Sequence, residues 1–137
     1  MVQKTSKAFV GASWAATAIG KIGFIAGLLR SGLSFNEKGF FFTVLLFGMF
    51  SVISLQKAVR DRLEKIPVSN IYYGICWVVT IISGILLTAG LIQIELLPSE
   101  KGFYAFAFVL SLFGAVAIQK NTRDELAAKD QIYARIE

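Results

Sequence analysis

EKGFFFTVLLFGMFSVISLQKAVRD, Glu37 to Asp61, lies over EKGFYAFAFVLSLFGAVAIQKNTRD, Glu100 to Asp124, when the chain is shifted by 63 residues. Glu, Lys, Gly and Phe coincide at the start, Phe50 falls on Phe113, and Gln, Lys, Arg and Asp coincide at the end. The match runs backward as well, with Trp14 on Trp77, Thr17 on Thr80, Ile19 on Ile82 and Gly27-Leu28 on Gly90-Leu91. The repeated unit is therefore a pair of apolar runs joined through EKGF, used twice.

Each run is long enough to matter. The chain has 137 residues, 55% hydrophobic and 17% charged, with a mean hydropathy of +0.65, outside the range of ordinary soluble domains. Spans are expected at about 8–29, 39–57, 71–94 and 102–119, because about 20 helical residues cross a hydrocarbon core about 30 Å thick. The second and fourth runs are short, so their helices should continue into QKAVRD and QKNTRD with the charged heads reaching the interface. Continuous runs without apolar/polar alternation exclude barrel strands.

The expected fold class is thus an all-α membrane protein: four transmembrane helices built as two tandem two-helix hairpins in the same orientation. Residues 1–66 form the first hairpin, 67–124 the second and 125–137 a cytoplasmic tail. An even number of spans per unit places the pseudo-twofold axis along the membrane normal. Inverted repeats are the usual builders of alternating-access sites, so this arrangement speaks against a transporter.

Lysine and arginine set the orientation. Lys4 and Lys7 precede the first span, Lys57, Arg60, Arg62 and Lys65 fill the middle connection, and Lys120, Arg123, Lys129 and Arg135 follow the last. The other two connections hold only Arg30, Lys38 and Lys101. The positive-inside rule then puts both termini in the cytoplasm. The net charge of +5 is matched to anionic lipid at that face rather than to nucleic acid, since the basic residues flank apolar spans instead of grouping on a soluble surface. Lys4, Lys7 and Ala16-Thr17-Ala18 imitate a signal peptide, but the run continues to Leu29 and reads as a retained helix.

Taken together, NEKGFFF, QKAVRD, IPVSNIYY and SEKGFYAFAFVLSLFGAVAIQKNTRD resemble the YiaA/YiaB two-helix domain family of bacterial inner-membrane proteins. The resemblance covers about Trp14 to Asp124 in two copies. It implies a bacterial inner-membrane location and brings no biochemical activity with it. Lys21 and the tail after Asp124 lie outside the family pattern.

Histidine is absent and Cys76 is the one cysteine, which removes disulfide frameworks, zinc clusters and every His-dependent catalytic arrangement. No catalytic residue, metal ligand or cofactor is expected, and the chain is read as a non-enzyme. The candidate functional or interaction residues are charged. Ser34 and Glu37 have capping-box spacing, and Pro98-Ser99 stands in for that device before Glu100. Glu37, Lys38, Glu100 and Lys101 therefore read as helix caps at the outer interface, with Gly39 and Gly102 allowing a neighbouring helix close; the rival reading is a charged ring at a pore mouth.

At the other end, four-residue spacing predicts Lys57 with Asp61, Gln56 with Arg60, Arg60 with Glu64, Asp61 with Lys65 and Lys120 with Asp124. Such pairs contribute only ~0.2–0.5 kcal/mol each, too little to account for the repetition of Gln56, Lys57, Arg60 and Asp61 as Gln119, Lys120, Arg123 and Asp124. Contacts between the two hairpins or with lipid headgroups are the expected purpose.

Lys21 lies about 20 Å into the first span with no acid at similar depth, and its repeat mate is Gly84. Ser13, Thr17 and Lys21 make a polar stripe mirrored by Cys76, Thr80 and Ser83-Gly84. A ligand path between the hairpins and a lysine bound to partner-helix carbonyls both fit. Ala12, Ala16 and Gly20, with Gly23 and Gly27, should form a close-packing face. The expected role is a self-associating bundle, a homo-oligomer, or an accessory subunit with a membrane-complex partner; the alternative is an oligomeric channel or small-solute transporter.

Overall fold

A computed structural model describes residues 5–137 and consists of four helices, α1 (Lys7–Arg30), α2 (Phe35–Leu63), α3 (Asn70–Gln93) and α4 (Pro98–Ile136). Lys4 lies outside the described residues. All four are long and apolar enough to cross a membrane, and no strand occurs among the described residues. Local chemistry sets their starts. Ser6 and Ser69, 63 residues apart, accept hydrogen bonds from Phe9 N at 3.2 Å and Tyr72 N at 3.1 Å, the side-chain capping that unpaired first-turn amides require. α4 runs unbroken for 39 residues, about 58 Å, so the tail is a helical extension of the last span.

The helices of one sequence unit are not each other's main partners. α1 packs chiefly on α4, α3 on α2, and α2 on α4, while α1 with α2 and α3 with α4 barely touch. The simple hairpin picture therefore needs correcting: each unit's first helix lies against the other unit's second. The 63-residue shift survives this exchange. α1 buries Ser13, Thr17, Gly20, Phe24 and Leu28, and of their mates in α3 Cys76, Ser83, Leu87 and Leu91 are buried. Phe41 and Tyr104, themselves repeat mates, stack on each other with centroids 6.4 Å apart. A quasi-twofold axis thus passes along the α2–α4 contact, with the two helices running in the same direction.

Close approach comes from small residues, but not all of those expected. A Cβ on Gly114 would lie 2.1 Å from Thr17 Oγ1 and 2.7 Å from its backbone N, and one on Gly20 would lie 2.8 Å from Ser111 N. Phe103 covers Gly27 and Phe40 covers Gly90, at 3.0 and 2.6 Å from such a Cβ. Gly39 and Gly102 have nothing within 4 Å, so EKGF contributes its phenylalanine, not its glycine, to packing. Ala12 is exposed and Ala16 half-buried; the packed face of α1 is rotated toward Gly20, Gly23 and Gly27.

Among the described residues the buried serine hydroxyls follow one rule, and Thr17 departs from it. Ser13, Ser51, Ser83 and Ser111 each donate to a carbonyl of their own helix at 2.6–2.8 Å. Among the described residues Thr17 Oγ1 has no partner, and it sits against Gly114. Gly114→Ala is therefore expected to lower stability by ~1–3 kcal/mol, because backbone cannot yield as a side chain can. Gly102→Ala should leave it unchanged or raise it by up to ~1 kcal/mol. Thermal melting of the two variants in mild detergent checks the pair, and equal melting would refute the close contact.

Candidate functional site

The repeated QKxxRD segments meet. At the ends of α2 and α4, Arg60 pairs with Asp124 and Arg123 pairs with Asp61, so the two copies grip each other reciprocally across the quasi-twofold axis. Each aspartate is also held from its own helix, Asp61 by Lys57 at 2.8 Å and Asp124 by Lys120 at 2.6 Å. Glu64, which has no acidic counterpart because its repeat position is Ala127, accepts from Arg60 and Arg123, each at 2.8 Å. Thr5 Oγ1 donates to Asp124 at 3.4 Å.

Both aspartates are buried, at 5% and 6% exposure. A buried carboxylate is costly unless paired and hydrogen-bonded, and here each has two cationic donors. The hydrogen bond from Lys57 does most to hold Asp61 below the ordinary carboxylate range, with Arg123 adding to it against the opposing effect of burial. For Asp124 burial is the largest influence and pushes upward, yet Lys120 and Arg60 together outweigh it and the net direction is downward. Glu64 is lowered by Arg60 and then Arg123.

Two expected pairs do not form among the described residues. Lys65 has a φ of 60° just beyond α2, so it leaves the helix and Asp61 turns to Arg123 instead. Gln56 makes no hydrogen bond to Arg60 among the described residues; it lines with Gln119 a narrow crevice bounded by Lys57, Arg60, Lys120 and Arg123. The pairing of Glu125 with Lys129 is long, 3.6 Å, and exposed.

The EKGF ends are caps. Glu37 accepts from Ser34 N at 3.1 Å while Ser34 Oγ accepts from Glu37 N at 3.2 Å. Glu100 accepts from Leu97 N at 3.3 Å. Lys38 donates to the Leu29 carbonyl at 3.3 Å, in the last turn of α1, where a cation is favoured by the helix dipole. Lys101 makes no such bond among the described residues. Lys21 is half-buried at the edge of the α1–α4 contact, and among the described residues it forms no ion pair. Ser13 and Thr17 are enclosed by α4, where Asn121 Nδ2 donates to Ser13 Oγ at 3.2 Å.

Sequence reasoning missed three features. Glu64 bridges two arginines, Asn121 enters the α1–α4 contact, and Arg62 lies 3.8 Å over the Tyr73 ring while donating to Asn70 at 2.6 Å. A signal for Asn121 did exist, since its repeat mate is Ala58.

The model of the yiaA/B two-helix domain family matches residues 9–61 and again 72–124. The chain belongs to this family. Each matched segment ends on a clamp aspartate, Asp61 or Asp124, so one family unit supplies one half of the grip. Inner membrane protein YiaA of Escherichia coli (strain K12) is 53% identical over 119 residues, covering 87% of this chain and 82% of that protein. No solved structure matches.

The clamp makes stability depend on pH in a defined direction. Both aspartates have folded-state values below their unfolded ones, near 3.9, so their contribution is complete above that value and is lost as pH falls through the lower, folded values. Melting in detergent should be flat from pH 7 to 5 and fall below about pH 4. The double variant Asp61→Asn, Asp124→Asn should melt lower at pH 7 with a shallower acid limb. An unchanged limb would remove the clamp from the account.

Proposed function

We propose that the chain is a non-enzymatic scaffold of the bacterial inner membrane, acting as a self-associating bundle or as an accessory subunit of a membrane complex. The observation that carries this reading is the clamp: Arg60, Asp61, Arg123 and Asp124 are engaged in holding α2 to α4. Groups committed to one another in buried pairs are poorly placed to bind substrate or move protons. The relative's name supports the inner membrane, and the exposed basic residues Lys7 and Lys65 suit anionic lipid at the cytoplasmic face.

Both termini and the clamp belong on the cytoplasmic side in this reading, by the lysine and arginine bias. A reporter fused after Glu137 and active only in the cytoplasm should give full signal. Signal from an externally active reporter at the same position would overturn the orientation.

A conduit remains the second reading, favoured by the half-buried, unpaired Lys21. Within one chain the α2–α4 contact is filled, with Phe108 against Gly48, so a path would have to run between copies. Purified in mild detergent, a scaffold should run as a stable oligomer or with a stoichiometric partner, and reconstituted vesicles should not leak ions. A strictly monomeric, partnerless chain would sink the scaffold. Ion flux that changes with Lys21→Leu would establish the conduit in its place.

A further inference from the structure

Lys21 sits at mid-span without a counter-charge. Along α1 it lies about 10 Å from Trp14 and about 14 Å from Arg30. Gly20 lies on Ser111 and Gly27 on Phe103 and Tyr104, so Lys21 is level with the middle of the apolar part of α4. The chain holds nine acidic residues, and none is at this depth. Glu37 and Glu100 stand in the first turns of α2 and α4, Glu95 precedes α4, and the rest lie at the clamp or beyond it. Residues 1–4 contain no acid. Helical side chains lean toward the helix N-terminus, which directs Lys21 toward the level of Thr17, whose hydroxyl is packed against Gly114. An ammonium at this depth is costly and calls for a partner that meets it there.

A second observation comes from comparing the two outer helices. α1 packs chiefly on α4 and α3 on α2, so each turns its other side outward. Ala12, Ala15, Ala18 and Lys21 follow one another at three-residue intervals and form one row along α1, with the three alanines exposed and Lys21 half-buried. Shifted by 63 residues, the row reads Ile75, Val78, Ile81 and Gly84. Those three apolar side chains are 53%, 55% and 56% exposed, so the two rows face outward alike. Bulky side chains serve contact with lipid, whereas alanines let the backbone of another helix come close. The small row therefore leads directly to the unmatched lysine.

We propose that this row docks a transmembrane helix of another protein, one that carries an Asp or Glu at mid-span whose carboxylate pairs with Lys21. A second copy of this chain does not fit, because it brings no acid to that depth and a symmetric α1–α1 contact would set two lysines side by side. Lipid does not supply the anion either, since its phosphates lie at the interface. The alanines bring the partner's backbone near α1, and the ion pair fixes its depth and rotation. The inference rests on the scaffold reading, takes its accessory-subunit form and names the chemistry of the partner.

The test is energy transfer in phosphatidylethanolamine–phosphatidylglycerol vesicles between the full chain, labelled after Glu137, and synthetic transmembrane peptides of about 22 Leu and Ala residues with Asp, Leu or Lys at the centre. The Asp peptide should associate about tenfold more tightly than the Leu peptide, and the Lys peptide no better than the Leu peptide. Lys21→Leu should abolish the difference, and Lys21→Asp should transfer the preference to the Lys peptide. The double variant Ala15→Val, Ala18→Ile copies the row of α3 at exposed positions; it should melt at the wild-type temperature and bind the Asp peptide about tenfold more weakly. Equal association of the Asp and Leu peptides would overturn the proposal, as would an Asp preference that survives Lys21→Leu or is undiminished in the double variant. Self-association of the chain without any Asp preference would sink this inference and leave the scaffold standing, whereas a monomer indifferent to all three peptides would sink both.

Discussion

In lipid an apolar side chain gains little by moving from hydrocarbon to a helix surface, so four apolar helices need another reason to stay together. The α1–α4 contact supplies one kind. Thr17 lies directly on Gly114 and Gly20 on Ser111, distances that only small residues allow, so dispersion contacts extend along the backbones themselves. The clamp supplies the other kind, at the end of the bundle where charge is tolerated. These two contacts place α1, α2 and α4 relative to one another, and α3 is held on α2.

Their combination explains why the units exchange partners. If α1 packed on α2, Arg60 and Asp61 of one unit could answer only each other's neighbours within that unit. With each first helix on the other unit's second, α2 and α4 become the central pair and lie parallel. Parallel repeat mates meet their own equivalents across the axis, which is why Phe41 stacks on Tyr104 at one level and Arg–Asp pairs form twice at another. A motif that carries adjacent opposite charges, as Arg60-Asp61 and Arg123-Asp124 do, is self-complementary under that symmetry.

Much of this was legible in the chain. Four spans, helices running into QKxxRD and the 63-residue unit follow from hydropathy and self-comparison. The weakness of its own four-residue pairs left two purposes for QKxxRD, contact between the units or with lipid headgroups, and the structure shows the first. The partner exchange does not follow, because short connections such as 31–34 suggest adjacent packing and periodicity says only that a helix has a packed face. The same gap explains Gly39 and Gly102. A glycine beside a repeated ion pair looks like a contact point, yet at that end of the bundle the contacting glycines are Gly27 and Gly90, fixed by where the facing phenylalanines reach. Lys65 failed for a local reason: α2 ends at Leu63, and a helical spacing rule does not extend past a helix.

Duplication turns the second unit into an internal reference for the first. Where both copies keep a residue, as at Arg60 and Arg123, the symmetric fold needs it in both places. Where they differ and the backbone environment is the same, the difference calls for a local cause. Glu64 against Ala127 is explained by a single acid serving two arginines on the axis, where a second would add negative charge without a new donor. Gly20 lies on Ser111, whereas their repeat mates are Ser83 and Gly48 and Gly48 takes Phe108 of α4 against it, so the small residue serves a different contact in each unit. Lys21 against Gly84 has no such compensation: no other helix gains an acid at that depth, and the space beside Gly84 is open. The asymmetry at Lys21 therefore lies outside what the two packing contacts require.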